Sequence, residues 1–330
     1  MTADHAAGMT ADHAAGMTAG HAAGMTPGHA AGMTAGHAAG RLAEVGPADR
    51  LRALRSVREG KVFTLGMDLF GRTPAPRYPD SPVPLHIVYQ DWSHYEKGTL
   101  HPDAGNVGWV DDGVLLNCHG GTHLDAMGHV IVDGTIAGGV AASSTVGGLA
   151  HADVAEIARL GVLCRGVLVD LCRGGDGSPL ARDHQVSVGE VEACLRDQDV
   201  EIEPGDMLLL RTGSLERYRS EGSAAFFTDY SEPGLSCEED LFEWVDAHRV
   251  LGIGSDTLAN ELPRDPATHE QFCLHHHLLR DRGLQFHEVL WLAELAADCA
   301  ADGRYVGLYV ASPLKLVGAS GSPVNPLFVK

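Results

Sequence analysis

Residues 118–129 read Cys118-His119-Gly120-Gly121-Thr122-His123-Leu124-Asp125-Ala126-Met127-Gly128-His129. Three histidines and one aspartate fall within eleven residues, at spacings of 4, 2 and 4. Imidazole and carboxylate together are the usual donor set for Zn²⁺, Mn²⁺ or Fe²⁺. In an extended chain the positions i, i+4 and i+6 share a face, so His119, His123 and Asp125 are expected to converge. Gly120 and Gly121 let the backbone bend around an ion. His129 lies four residues past Asp125, where an imidazole titrating near neutrality can carry a proton for a leaving group. A further ligand or a buried, hydrogen-bonded histidine are the other roles open to it.

Upstream of this stretch, residues 111–118 give a turn and an apolar run, and 85–90 a strand. Residues 73–84 hold five prolines (74, 76, 79, 82 and 84) and are expected to form an extended loop. Residues 61–71 read as a strand. Residues 42–59 read as an amphipathic helix, with Leu42, Val45, Leu51, Leu54 and Val57 on one side. Before them stand five tandem octapeptides, MTADHAAG twice, then MTAGHAAG, MTPGHAAG and MTAGHAAG, filling residues 1–40. A period of eight fits neither helix nor strand, and the repeat lacks bulky apolar residues beyond Met. It is expected to be a disordered tail, dispensable for catalysis.

Downstream, the pattern alternates between strand and helix. Apolar runs at 161–171, 206–212, 250–254 and 305–311 suggest strands, the first two buried on both faces. Helices are expected at 187–196, 238–247, 269–280 and 290–302; Ser187 with Glu190 three residues on has the capping-box spacing. The pattern is that of an α/β domain, and nothing divides residues 41–330 into two.

Composition narrows the function. The chain has 330 residues, 44% of them apolar, with 44 acidic against 24 basic residues and a net charge of −20. That balance argues against nucleic acid and against an anionic membrane surface as partners. No run of 18 apolar residues and no charged-then-apolar leader is found, so a cytoplasmic location is expected. Seven cysteines (118, 164, 172, 194, 237, 273 and 299) form no CxxC pair and are expected to be free thiols. There is no GxSxG, which disfavours a serine hydrolase, and Gly252-Ile253-Gly254-Ser255-Asp256 is not a nucleotide-binding GxGxxG.

The motif HxGTHxDxxxH resembles the signature of the cyclase family of metal-dependent hydrolases, which includes kynurenine formamidases and isatin hydrolases. Gly166-Val167-Leu168-Val169-Asp170, the run from Gly205 to Gly213 (GDMLLLRTG), Ser312-Pro313-Leu314 and Gly321-Ser322-Pro323-Val324 resemble other conserved segments of that family. The resemblance covers roughly residues 60–330 and is nearest the longer members. It implies a swivelling β/β/α domain with a barrel-like mixed sheet flanked by helices. It also implies a late histidine and, twelve residues on, a glutamate; that spacing selects His276 over its neighbours His275 and His277, together with Glu288. The implied ligand set is His119, His123, Asp125 and Glu288 for one ion. Asp125, His276 and Glu288 would hold a second, with His129 as the proton shuttle. Zn²⁺ and Mn²⁺ suit these donors equally.

Two positions depart from the family. Met127 stands where the short members have proline, and is expected to form a soft pocket wall. The aromatic residue that meets the substrate has no firm counterpart, Trp92, Tyr95 and Trp109 being the candidates. The implied activity is hydrolysis of an amide-type C–N bond in a small cyclic or aromatic molecule by a homodimer or homotetramer. The alternative is metal-dependent cyclisation or dehydration of a biosynthetic intermediate, and a third possibility is metal or ligand binding without turnover.

Overall fold

The apolar runs at 163–170 and 207–211 form neighbouring parallel strands inside one sheet; the first has an antiparallel strand on its other edge and the second a further parallel one. The computed structural model describes residues 38–71, 73–173 and 177–330. Its main sheet has nine strands, in chain order Val62–Thr64 (β1), His123–Asp125 (β2), Leu163–Asp170 (β3), Met207–Arg211 (β4), Gly252–Ser255 (β5), Gln285–Glu288 (β6), Val306–Val310 (β7), Gly321–Pro323 (β8) and Leu327–Val329 (β9). They lie in the order β1-β9-β7-β3-β4-β5-β6-β2-β8. The four central strands β3 to β6 are parallel, and their crossovers carry the helices Val188–Asp197, Ser214–Glu221 and Glu239–Ala247. The strands outside them run antiparallel. The result is a curled half-barrel flanked by helices, as the family resemblance implies. All described residues fall in one compact unit.

The capping box at Ser187 and Glu190 forms as read: the serine side chain accepts from the Glu190 amide, and Glu190 Oε2 accepts from the Ser187 amide at 2.9 Å. Other elements differ from the sequence reading. The helix expected over 42–59 is broken at Gly46 into a 3₁₀ turn, Gly40–Glu44, and a helix, Pro47–Leu54. Pro47 opens the second piece because it needs no amide partner at that position. Leu51 and Leu54 face solvent, while Leu42 and Ala53 are buried. The strand expected over 61–71 pairs only along β1. The helix expected over 269–280 unwinds into a π-helix, His275–Arg280.

The octapeptide tract lies outside the described residues except for its last three. Those three lie against the folded part. Ala39 is buried, its carbonyl accepts from Gln285 Nε2 at 3.0 Å, and the Arg41 amide donates to the Gly283 carbonyl at 2.8 Å. Gly40 has φ +58°, and any Cβ there would collide with the Gly283 carbonyl. Cys237 and Cys273, expected as free thiols, are joined in a disulfide across 36 residues, a pairing invisible in the spacing. Met127 is wholly buried in the core with its sulfur beside Gly40, so it builds the floor of the fold and no pocket wall. No helix among the described residues is long and apolar enough to cross a membrane.

Candidate metal centre

The site forms where the parallel strands meet the antiparallel ones. Glu288 ends β6 and sits opposite His123 of β2; Asp125, two residues on along the same face, sits opposite Gly321 of β8. Gly321 has to be a glycine, because a Cβ there would lie 2.6 Å from His119 Cε1. His119 precedes the strand, and the turn through Gly120 and Gly121 returns its ring to Asp125, Nδ1 to Oδ1 at 2.8 Å. Gly121 has φ +78°. The π-helical turn brings in His275, whose Nε2 stands 3.4 Å from both Asp125 Oδ2 and Glu288 Oε1.

Each of these imidazoles is fixed through its outer nitrogen. His123 Nδ1 meets the Gly121 carbonyl at 2.7 Å, His275 Nδ1 meets Glu261 Oε1 at 2.7 Å, and His119 Nε2 meets Ser320 Oγ at 2.9 Å. The inner nitrogens face the two carboxylates without hydrogen-bond alignment, and both buried Asp125 oxygens lack a hydrogen-bond partner. His123 Nε2 is 3.2 Å from Glu288 Oε2 and 3.6 Å from Asp125 Oδ1. Four donors around one centre with bonds of about 2.1 Å stand about 3.4 Å apart at the corners of a tetrahedron. Donor atoms of His123, Asp125 and Glu288 lie within 4.8 Å of one another, as do those of His119, Asp125 and His129, and outer nitrogens anchored with inner ones facing carboxylates suit a ligand set. The residues therefore fit a divalent cation.

The electrostatics agree with that geometry. Burial pulls the His123 and His275 pKa values down, yet the facing carboxylates outweigh it and hold both raised. Burial pushes the Asp125 carboxyl up, but the surrounding histidines carry it well below its ordinary value. The two carboxylates thus draw positive charge to one point. His129 stacks on His119 with ring centroids 4.1 Å apart, and burial lowers its pKa to about 4. Val289, directly after Glu288, holds φ +59°, a strained conformation for a β-branched residue and a common mark of a functional site.

The structure thus gathers His119, His123, Asp125, His129 and Glu288, and turns His276 away. His276 Nδ1 bonds Glu270 Oε1 at 2.8 Å, and its Nε2 is 3.4 Å from Asp281. The physical reason is the π-helix, whose turn takes one more residue than an α-helical turn. His275 therefore reaches the carboxylates at thirteen residues from Glu288, one more than the implied spacing. Glu261, Ser320 and Asn260, whose Nδ2 donates to Glu288 Oε1 at 3.2 Å, also belong to the site. No motif announces them; they are found only when the fold closes. Asp256 stands apart, accepting from Thr212 and Gly213 at the end of β5.

A cavity of about 530 Å³ opens over the centre, walled by Tyr78, Ile131, Leu258, Phe272 and His276 among others. Trp92 and Trp109, 70% and 60% exposed, lie beside the 85–90/111–115 ribbon, and neither they nor Tyr95 line this cavity. The aromatic residues that face the cavity are Tyr78 and Phe272.

The cyclase family model ("Putative cyclase") matches residues 57–261. This chain belongs to the cyclase family. The matched span takes in β2 but ends before His275 and Glu288. Among solved structures, a protein described as a novel cyclase is 30% identical, covers 89% of this chain and 96% of its own, and superposes with a TM-score of 0.79. Isatin hydrolase A from Ralstonia solanacearum is 21% identical, with coverage of 82% and 92% and a TM-score of 0.60. Isatin hydrolase A from Labrenzia aggregata is 19% identical, with coverage of 81% and 92% and a TM-score of 0.58. At those identities the two hydrolases share the cyclase-family fold. No curated protein sequence matches.

Proposed function

We propose that this cyclase-family chain is a metal-dependent hydrolase that cleaves an amide-type C–N bond, aryl formamide or lactam-like, in a small cyclic or aromatic substrate. The observation that carries the reading is the set of tethered imidazoles facing two buried carboxylates at ligand spacing. His123, Asp125, His275 and Glu288 would hold a divalent Zn²⁺ or Mn²⁺ ion, with His119 against the other side of Asp125. Such an ion supplies Lewis acidity, polarising a carbonyl and acidifying water.

The chain's own residues do the rest. The apolar wall of Ile131, Leu258 and Phe272 takes a flat ring and keeps bulk water from it. His129 is neutral at pH 7, since its pKa sits near 4. It lines the cavity beside the centre, where its neutral ring would accept the proton of the attacking water and return it to the leaving nitrogen, as a weaker base than the imidazole titrating near neutrality that the sequence suggests. The names of the fold neighbours, a cyclase and two isatin hydrolases, accord with a carbonyl substrate.

The test is turnover of a panel of aryl formamides, isatin and lactams in ¹⁸O-labelled water, with elemental analysis of the same preparation. Hydrolysis places one solvent oxygen in the product; ring closure or dehydration places none and would replace this reading with the cyclase one. Metal bound without turnover would leave a binding protein. His129→Ala is expected to lower kcat by roughly 10² to 10⁴ with metal content near wild type. If metal and activity fall together, His129 is a ligand.

A further inference from the structure

The proline-rich loop closes one side of the cavity, and it is held in place from several directions. The Ala75 amide donates to the Asp68 carbonyl at 2.7 Å, and the Ser81 amide to the Tyr78 carbonyl at 2.9 Å. The Tyr218 hydroxyl donates to the Pro74 carbonyl at 3.0 Å. Prolines at 74, 76, 79, 82 and 84 restrict the remaining backbone freedom. Arg77 and Tyr78, at the centre of this loop, both line the cavity.

The two side chains are prepared and unspent. Arg77 makes one hydrogen bond, Nη1 to the Ser81 carbonyl at 2.7 Å, which fixes the guanidinium on its own loop. Among the described residues no carboxylate lies within ion-pair distance of it. Glu270, the other acidic side chain on the wall outside the centre, is taken by His276 at 2.8 Å and His277 at 3.8 Å. The Tyr78 hydroxyl is buried beside the Tyr230 phenol, without an aligned acceptor for its proton. Its neighbour Tyr230 donates to Glu232 Oε2 at 2.6 Å. Burial holds the Tyr78 phenol above its ordinary pKa, so it stays a donor. A partly buried cation with free N–H groups on the cavity wall, next in sequence to a tyrosine that also lines it, calls for an anionic oxygen.

We infer that the 76–81 loop is a carboxylate-recognition element, and that the substrate of this centre is an amide or lactam that also carries a carboxylate held by Arg77 and Tyr78. The inference rests on the reading above, in which the amide carbonyl is bound at the histidine–carboxylate centre. It narrows the substrate from a small cyclic or aromatic amide to an anionic one. The planar fork of Arg77 suits a carboxylate in bidentate contact.

The probes are benzoate, with one carboxylate for the centre, and phthalate, isophthalate and terephthalate, each with a second at a different angle. Isothermal titration of the Mn²⁺-loaded protein should show at least one dicarboxylate binding roughly 10- to 100-fold tighter than benzoate. Arg77→Gln should bring that dicarboxylate to the benzoate level, Arg77→Lys should keep part of the margin, and Tyr78→Phe should remove a smaller part. Benzoate itself should bind alike to all four proteins. The inference is overturned if no dicarboxylate exceeds benzoate, if the margin survives Arg77→Gln, or if benzoate weakens equally, which would make Arg77 a structural support. Should Arg77→Gln fail to fold, the Arg77→Lys and Tyr78→Phe margins decide. Formanilide and isatin turnover on the same samples separates the two readings. Turnover without a dicarboxylate margin sinks this inference alone; an Arg77-dependent margin without turnover sinks the hydrolase reading alone.

Discussion

Three consecutive imidazoles, His275, His276 and His277, sit in one turn and meet different neighbours. His275 faces Asp125 and Glu288 and is fixed behind by Glu261. His276 and His277 stack on each other at 4.1 Å and share Glu270. His275→Ala is therefore expected to drop bound metal well below one equivalent per chain, while His276→Ala leaves it near wild type; elemental analysis of both decides. Equal loss in the two would return the site to the spacing implied by the family. The convergence of His119, His123 and Asp125 was legible because it depends on a few consecutive residues whose side-chain directions follow from the chain itself. The choice among the three late histidines was not, because one added residue in a π-turn changes the count without changing any residue type.

Short strands decide the site, and they are the elements the sequence hides. β2, β6 and β8 have three or four residues each. Their polar content reflects the centre they build, so no apolar run marks them. The long central strands β3 and β4 were legible because burial on both faces demands unbroken apolar residues. Burial at the start of β4 has a measurable effect as well. Asp206 is buried next to Arg165 Nη1 at 2.7 Å, yet burial dominates and raises its pKa to about 7. A carboxyl whose folded pKa is raised prefers its proton in the fold. Its contribution is full below about pH 4 and is lost as pH rises to about 7. Glu232 and Asp256, also held near 7 by burial first, act with the same sign. These three groups should accordingly lower the melting temperature as pH rises from about 4 to about 7, and Asp206→Asn should flatten part of that fall. Identical slopes would remove Asp206 from the account.

At the scale of the whole molecule, the 85–90/111–115 ribbon is unfinished. Leu85, Ile87, Val114 and Leu115 are 50%, 43%, 58% and 63% exposed on its two strands, with Trp92 and Trp109 beside them. A two-stranded ribbon bare on both faces is marginal in water, and a patch of this kind marks an interaction surface. We propose that a second copy of the chain covers it, giving the homodimer or homotetramer that the family resemblance implies. Sedimentation should give a mass of at least two chains, and Ile87→Asp with Val114→Asp should shift it toward one; a monomer at all concentrations would refute this. The N-terminal boundary is testable in the same way. A chain beginning at Ala38 should keep the full melting temperature, while one beginning at Leu42 loses Ala39, Gly40 and Arg41, with their bonds to Gln285, Gly283, Val245 and Val250, and should melt several degrees lower. No difference would place the anchor elsewhere.

The anchor at Ala38, Ala39 and Gly40 bears on how this gene can change. Tandem repeats gain and lose units by slippage during replication, and such events usually scramble whatever structure they enter. Here all five octapeptides end in the same His-Ala-Ala-Gly. Whichever copy is last supplies the small residue for the core and the glycine that fits against Gly283. Whole units can therefore be added or deleted in frame with the anchor rebuilt each time. A change of whole units leaves the residues that meet Gly283 and Gln285 the same.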